Sequence, residues 1–318
     1  MNDTVAAVVV THNRWRLLLE CLDALLNQST PVSAIYVVDN ASSDGTGHHL
    51  QEHGYLSNSA IHYLKLPANI GGAGGFYAGM ERASLAGYSW IWLMDDDTEP
   101  RQNALEMMKP HMQLPEVVAI ANTKLEPYGR PENHIAEVAR RYRRSGYVRL
   151  SFSSFVGLLV RKTAVDTVGL PKKEFFIYGD DNEYCNRLAA IGDICLAKDA
   201  VVLHKAAGRE KSKVRRFLWL KASSLCFDSF CFKYFYLRNL LWTCLHSRFH
   251  LSTRSSYNTV LAAYAKCLVK ILFYDRDHRL MRSRILFRAF ADGVGGNFDN
   301  TFAFECLAKA ARNSNTSV

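Results

Sequence analysis

The sequence predicts an α/β fold: a mostly parallel β-sheet flanked by helices, then a helical C-terminal region rich in basic and aromatic residues. Three observations carry this. From residue 4 to residue 205, short apolar runs alternate with stretches of helical spacing, the pattern of βαβ units. Nearly every apolar run ends in a polar loop, so right-handed crossovers gather these loops at one rim of the sheet. After Lys205 the composition shifts to Phe, Tyr, Trp, Leu and Cys interleaved with Lys and Arg.

In chain order, Thr4 to Val10 is a β-branched and small apolar run suited to a buried first strand. Arg16 to Asn27 then places apolar residues at 17, 18, 21, 22, 25 and 26, one face of a helix. Ile35 to Val38 is a second strand ending in the loop Asp39 to Gly45, with a helix from Thr46 to His53 and a third strand from Ile61 to Leu66. The glycines at 71, 72, 74 and 75 read as a turn ahead of a helix from about Tyr77 to Leu85. Trp90 to Met94, bulky and uncharged, reads as the fourth strand and runs straight into Asp95, Asp96 and Asp97. Further strands are expected at Val117 to Ile120 and Phe155 to Val160, with a loop over Pro127 to Arg144 and a short helix from Lys162 to Val168. A helix starts at the acidic cluster Asp180, Asp181 and Glu183, and two short strands, Ile194 to Ala197 and Val201 to Leu203, end at His204. Phe217 to Phe249 reads as helical.

The chain of 318 residues is long enough for a substantial core. Its eight cysteines are scattered without a C-x-x-C pair, which speaks against a zinc knuckle or a disulfide framework. No run approaches 18 uncharged apolar residues, so no spanning helix is expected, and the N-terminus lacks the pattern of a signal peptide. Net charge is +9 and unevenly placed: Lys205 to Arg288 holds about 18 Lys and Arg against about four Asp and Glu. That imbalance asks for an anionic partner, nucleic acid or an anionic membrane face. No nucleic-acid recognition motif accompanies it, so no nucleic-acid partner is expected.

The acidic clusters carry the chemistry. In an extended backbone Asp95 and Asp97 point to one side and Asp96 to the other. Two carboxylates on one side suit Mg²⁺ or Mn²⁺, and an acidic turn is the plain alternative. The glycine cluster could let the backbone approach a diphosphate, although it is neither G-x-G-x-x-G nor a P-loop. Asp39 is placed to accept a hydrogen bond from a base or ribose, or else to cap its own loop. Asp180, Asp181 and Glu183 suit a helix N-terminus electrostatically, and one of them facing a metal–diphosphate site could be a general base. His204 either serves structure or completes a metal site.

Six ordered segments carry a family resemblance: Val8 to Arg14, Val37 to Thr46, Asn69 to Phe76, Trp92 to Asp97, Gly179 to Tyr184, and Leu203-His204. Together they resemble inverting glycosyltransferases of family 2, whose GT-A fold is Rossmann-like. The Gly-Gly-x-Gly-Gly-Phe form with three aspartates looks most like bacterial galactofuranosyltransferases, with dTDP-rhamnose-using rhamnosyltransferases as the alternative and a non-catalytic glycan- or nucleic-acid-binding protein as the alternative of a different class. Tyr236 to Asn239 and Asp292 to Gly296 also resemble C-terminal segments of these bacterial enzymes.

The resemblance implies roles. Thr11, Asn13 and Arg14 lie at a uridine-diphosphate pocket, Asp39 contacts the uracil, and Asn69, Gly71 and Gly72 lie near ribose and diphosphate. Asp95 and Asp96 also belong to the donor site. Asp95 and Asp97 hold Mg²⁺ or Mn²⁺ with His204 as third ligand. Asp181 is the general base, supported by Asp180 and Glu183. Gly179 stands where related sequences often carry Trp. The implied donor is a UDP-sugar, UDP-galactofuranose first, and the implied acceptor a lipid-linked surface glycan. The expected arrangement is a catalytic domain over 1–210 and a C-terminal region over 211–318 that associates with membrane or acceptor. The expected location is the cytoplasmic face of the cell membrane, with the oligomeric state open.

Overall fold

The computed structural model describes residues 3–126, 143–144, 147–205, 212–217, 220–246 and 253–315. The fold divides into two compact units, one of residues up to Phe176 plus Asp180–Ala207, the other of Ile177–Gly179 plus the chain from Gly208 onward.

The first unit is built on one mixed sheet. Its elements are β1 (Val5–Thr11), α1 (Trp15–Leu26), β2 (Ala34–Asp39), α2 (Thr46–Glu52), β3 (Ile61–Lys65), α3 (Gly71–Leu85), β4 (Trp90–Asp95), β5 (Thr98–Pro100), α4 (Ala104–Met112) and β6 (Val117–Leu125). They continue with β7 (Arg143–Arg144), β8 (Tyr147–Leu150), β9 (Leu158–Arg161), α5 (Lys162–Val168), α6 (Asp180–Ile191) and β10 (Asp193–His204). The strand order is β3-β2-β1-β4-β9-β6-β10-β8-β7, with β5 paired to β10. β1 runs parallel to β2 and β4, and β2 parallel to β3. β1 is buried along its whole length, as a strand covered on both faces must be. One apolar layer contains Val8, Val10, Phe76, Leu93 and Leu188; the other contains Val9, Leu22, Trp90, Trp92 and Met108.

The sheet is mixed: β1, β2, β3, β4, β6 and β10 run in one direction, and β9 lies antiparallel between β4 and β6. Three expectations are corrected here. The glycines at 71, 72, 74 and 75 are not a turn before the helix but its first turns, because α3 begins at Gly71. Close packing on the sheet accounts for Gly75 and for Gly79 further along the helix. A Cβ on Gly75 would sit 2.5 Å from Val10 Cγ1, and one on Gly79 would sit 2.3 Å from Val8 Cγ1, so α3 lies directly on β1. The two strands expected after residue 194 are one, β10, with a register shift between Ala197 and Val201. Most of the loop expected over Pro127 to Arg144 lies outside the described residues, and its last two residues pair with β8.

The second unit contains a hairpin, β11 (Ser212–Phe217) with β12 (Leu220–Leu225), where a helix was expected from Phe217 onward. The Ala222-Ser223-Ser224 stretch is weak in helix propensity at its serines, and an antiparallel partner satisfies its backbone instead. Helices follow: α7 (Phe227–Cys231), α8 (Lys233–His246), α9 (Thr253–Phe273), α10 (Arg279–Gly295) and α11 (Thr301–Asn315). The buried Arg282 reaches Asp275 at 3.5 Å and Asp277 at 3.0 Å. Tyr234 donates to Asp292 at 2.6 Å, which ties α8 to α10. Among the described residues, no helix is long and apolar enough to cross a membrane.

Candidate active site

The carboxyl ends of β1, β2, β3, β4 and β10 lie at one rim, because all five strands run in the same direction. That rim is where an open α/β sheet binds ligands. Thr11 and Asp39 end their strands there, Asp95 ends β4, and His204 ends β10.

The chain turns immediately after Asp95, so strand alternation does not extend through the three aspartates. Asp96 and Asp97 therefore do not point to opposite sides: one guanidinium nitrogen of Arg14 stands 3.3 Å from Asp96 Oδ1 and 3.5 Å from Asp97 Oδ2. Thr11 Oγ1 donates to the other Asp96 oxygen at 2.8 Å. His204 Nε2 lies 3.6 Å from Asp97 Oδ1. Strand β5 brings these two together. It folds back antiparallel on β10 and sets Thr98 opposite His204, and the Lys205 amide then donates to the Asp97 carbonyl at 2.9 Å. The donor atoms of Asp95, Asp97 and His204 are not all within 4.8 Å of one another, so the three do not form a closed ligand ring.

Crowding raises the affinity of these carboxyls for protons. Asp95 is pushed up to about 7 by burial and then by Asp97 and Asp96, against the pull of His204 and Arg14. Asp96 is pushed up to about 6 by burial, with Arg14 and the Thr11 hydroxyl restraining it. Adjacent carboxylates held this way favour a cation among them, which is the donor chemistry that Mg²⁺ and Mn²⁺ prefer.

The loops after β1 and β2 form a hydrogen-bonded shelf. Asp39 is fully buried; its Oδ1 accepts the Ser42 amide at 2.8 Å and its Oδ2 the Tyr63 hydroxyl at 2.5 Å. The Ser42 bond caps its own loop, and the Tyr63 bond ties that loop to β3. Asn13 adopts a left-handed backbone (φ 56°); its amide donates to Ser42 Oγ at 2.9 Å and its Oδ1 accepts the Ser43 amide at 2.7 Å. Asn69 caps the Gly71 amide at 2.9 Å and reaches His12 at 3.2 Å. Asn40 joins this shelf to α3 by donating to the Gly71 carbonyl at 2.8 Å and accepting the Ile70 amide at 2.9 Å. Gly71 has φ +77°, and a Cβ there would lie 2.0 Å from the Phe176 carbonyl oxygen, so only glycine fits. Gly72 has open space around it.

The second acidic cluster starts α6. The Asp180 carboxyl is held well above the usual range by burial, then by Asp181, and also by Asp95. Asp180 and the three-aspartate turn therefore share one electrostatic neighbourhood. Asp181 is raised by burial, against the Asn182 amide and the ammonium of Lys124. Glu183 is differently occupied: its carboxylate takes Arg187 at 2.8 Å, and Arg187 also donates to the Leu170 carbonyl at 3.0 Å. This pairing anchors the start of α6.

Two features escape sequence reading. Lys124 is a buried lysine on β6 whose ammonium donates to Ser154 Oγ at 2.6 Å; only its odd place in an apolar strand could have flagged it. The turn before α6 is strained, with Phe176 at φ 65°, ψ −62° and Tyr178 at φ 65°, both non-glycine. The Phe176 conformation is a γ-turn of the rare kind, and its carbonyl accepts the Ala73 amide at 3.1 Å. Nothing in the identities of Phe or Tyr announces such dihedrals.

Comparison with known proteins agrees with this geometry. The profile of glycosyl transferase family 2 matches residues 6–167. The galactofuranosyltransferase GlfT1 of Mycolicibacterium smegmatis is 33% identical over 211 residues, covering 60% of this chain and 67% of that protein. The protein of the same name from Mycobacterium tuberculosis is 32% identical over 238 residues, 66% of this chain and 73% of that one. Among solved structures, residues 1–349 of TarS from S. aureus align over 99% of this chain and 92% of that one, with TM-score 0.60 and 13% identity. The mannosyltransferase PcManGT from Pyrobaculum calidifontis, solved with GDP-Man and Mn²⁺, aligns over 98% and 88%, with TM-score 0.56 and 15% identity. At those identities the solved structures speak for the fold, which is GT-A. On the matched profile and the two relatives, the chain belongs to glycosyl transferase family 2 and is a glycosyltransferase.

Proposed function

We propose that the chain moves galactofuranose from UDP-galactofuranose to a hydroxyl of a lipid-linked surface glycan, inverting the anomeric centre. What supports the reading is that Asp95 raises the proton affinity of Asp180, so the candidate donor-binding turn and the candidate base share one electrostatic neighbourhood. The choice of donor rests on the two GlfT1 relatives.

Each residue has a job in that reaction. Thr11, Asn13, Arg14 and the Asp39 loop receive the nucleoside side of the donor, and Asn69, Gly71 and Gly72 receive its ribose and diphosphate. Arg14 orients Asp96 and Asp97. A divalent cation, Mg²⁺ or Mn²⁺, held by Asp95, Asp97 and His204 would neutralise charge on the leaving diphosphate. The crowded carboxyls fit such an ion, and a related fold was solved with Mn²⁺. Asp181 accepts the proton of the acceptor hydroxyl as its oxygen bonds to the anomeric carbon and the bond to the diphosphate breaks. Burial raises the proton affinity of Asp181, as a base requires, and Asp181 in turn raises that of Asp180. Glu183, through Arg187, fixes the start of α6.

The second unit is the candidate for membrane association. Tyr257, Leu261, Leu268 and Leu272 fall on one face of α9 and are exposed, and Leu280 and Phe287 of α10 are exposed at 90% and 73%. Apolar faces on a basic unit suit an anionic leaflet.

The test is a screen of UDP-galactofuranose, other UDP-sugars and dTDP-rhamnose with a lipid-linked acceptor, read by mass spectrometry, for wild type and Asp181→Asn. Transfer of galactofuranose by wild type, lost in Asp181→Asn with donor binding kept, is expected. Transfer of rhamnose instead would replace the donor, and full turnover by Asp181→Asn would remove that residue from the mechanism.

A further inference from the structure

The second unit contains a cavity of about 520 Å³ whose lining has no part in the site described above. Lys233 from α8 and Lys266 and Lys270 from α9 line it, together with the hydroxyls of Ser212, Ser223 and Thr259. Among the described residues, the one carboxylate in the lining is Asp275. It is buried and already engaged, since Ser224 Oγ donates to its Oδ1 and Arg282 stands 3.5 Å from its Oδ2. Among the described residues, the lining therefore carries an excess of positive charge.

The lysines converge rather than merely sharing a helix. All three act on the same spot, the Cys267 thiol, whose proton affinity is raised by burial and by Asp275 and lowered by the ammonium groups of Lys233, Lys270 and Lys266. On α9 the lining positions Thr259, Ala262, Ala263, Lys266 and Lys270 fall on one side. Small alanines between the lysines leave room for a ligand of several atoms. Lys266 and Lys270, with Lys233 and the serines Ser212 and Ser223 in the same lining, match the oxygens of a phosphate ester, for which lysine serves as a point charge.

We infer that this cavity is an anion site that takes a phosphate or diphosphate group, either as a free ester or as the headgroup of a lipid. The inference does not need the transferase reading, because it concerns binding in the second unit alone. If that reading holds, the natural occupant is the diphosphate of the lipid-linked acceptor.

The test uses the full-length untagged chain and the Lys266→Gln/Lys270→Gln variant, with folding checked by circular dichroism. Binding of inorganic pyrophosphate is measured by calorimetry, and binding to phosphatidylcholine vesicles with and without phosphatidic acid by co-sedimentation. Protection of Cys267 from alkylation, mapped by mass spectrometry, locates the ligand. The expected result is a loss of about tenfold or more in pyrophosphate affinity in the variant, on the scale of charge-assisted hydrogen bonds, with UDP affinity unchanged and pyrophosphate shielding Cys267 in wild type only. Lysine-dependent binding to phosphatidic-acid vesicles without binding of pyrophosphate would assign the site to a lipid headgroup. Equal binding of both probes by variant and wild type would overturn the inference, whatever the donor screen returns.

Discussion

Asp95 is the residue on which charge and fold compete most directly. Its carboxyl titrates near 7 in the folded chain, against an ordinary value near 4 when unfolded. The folded state thus holds the extra proton between those values, and stability falls as pH rises through that window. Asp95→Asn should therefore leave metal-free stability nearly unchanged at pH 4 and raise it by about 1–3 kcal/mol at pH 8. Urea unfolding in EDTA at both pH values checks this, and an equal effect at the two would refute it. Arg14 makes the opposite case, since it supplies positive charge to both Asp96 and Asp97. Arg14→Met should push the Asp96 carboxyl further up and weaken UDP binding by about tenfold or more, the scale of a lost charge-assisted bond; titration of UDP into the variant would show it. The acidic residues were legible because three adjacent aspartates after an apolar run are conspicuous. Lys124 was not, because one lysine in a strand carries no periodic signal.

At the scale of elements, α3 shows how composition can be seen and still be misplaced. A glycine cluster after a strand suggests a phosphate-binding turn, whereas Gly75, with Gly79 beyond it, lets the helix approach β1. Gly72 and Gly79 separate the two demands. Gly79→Ala puts a methyl 2.3 Å from a stiff valine and should destabilise by about 1–3 kcal/mol, more than the helix propensity it gains. Gly72→Ala meets nothing within 4 Å and should be neutral or slightly stabilising, yet weaken UDP binding if the diphosphate passes there. Thermal melts of both variants and UDP titration of the second check the pair. Strand β9 was seen as a strand, but its antiparallel direction was not, since periodicity reports a pleat and says nothing of pairing partners. The hairpin of β11 and β12 was missed for a related reason: its stability lies in the partner strand rather than in either segment's own pattern.

For the molecule as a whole, the charge asymmetry was plain from counting, and the two compact units give it a place. The first unit gathers carboxylates, the second lysines and arginines. Vesicle binding should require anionic lipid, fall by tenfold or more between 50 and 500 mM salt, and weaken when Leu280 and Phe287 are both changed to Ser. Co-sedimentation with anionic and neutral vesicles tests all three, and binding indifferent to lipid charge and to those two residues would argue against a membrane role for this surface. What no count could show is which lysines converge on one cavity, because that depends on how α8 and α9 pack.

The position of β9 also constrains how the chain comes to be made. β4 and β6 are synthesised early, yet the strand that separates them in the sheet is encoded more than thirty residues after β6 ends. A nascent chain that has not reached residue 158 has two hydrophobic strands with facing backbone groups and nothing between them. Such open edges recruit other chains, so ribosome-bound intermediates of this length should depend on chaperones in a way the finished protein does not.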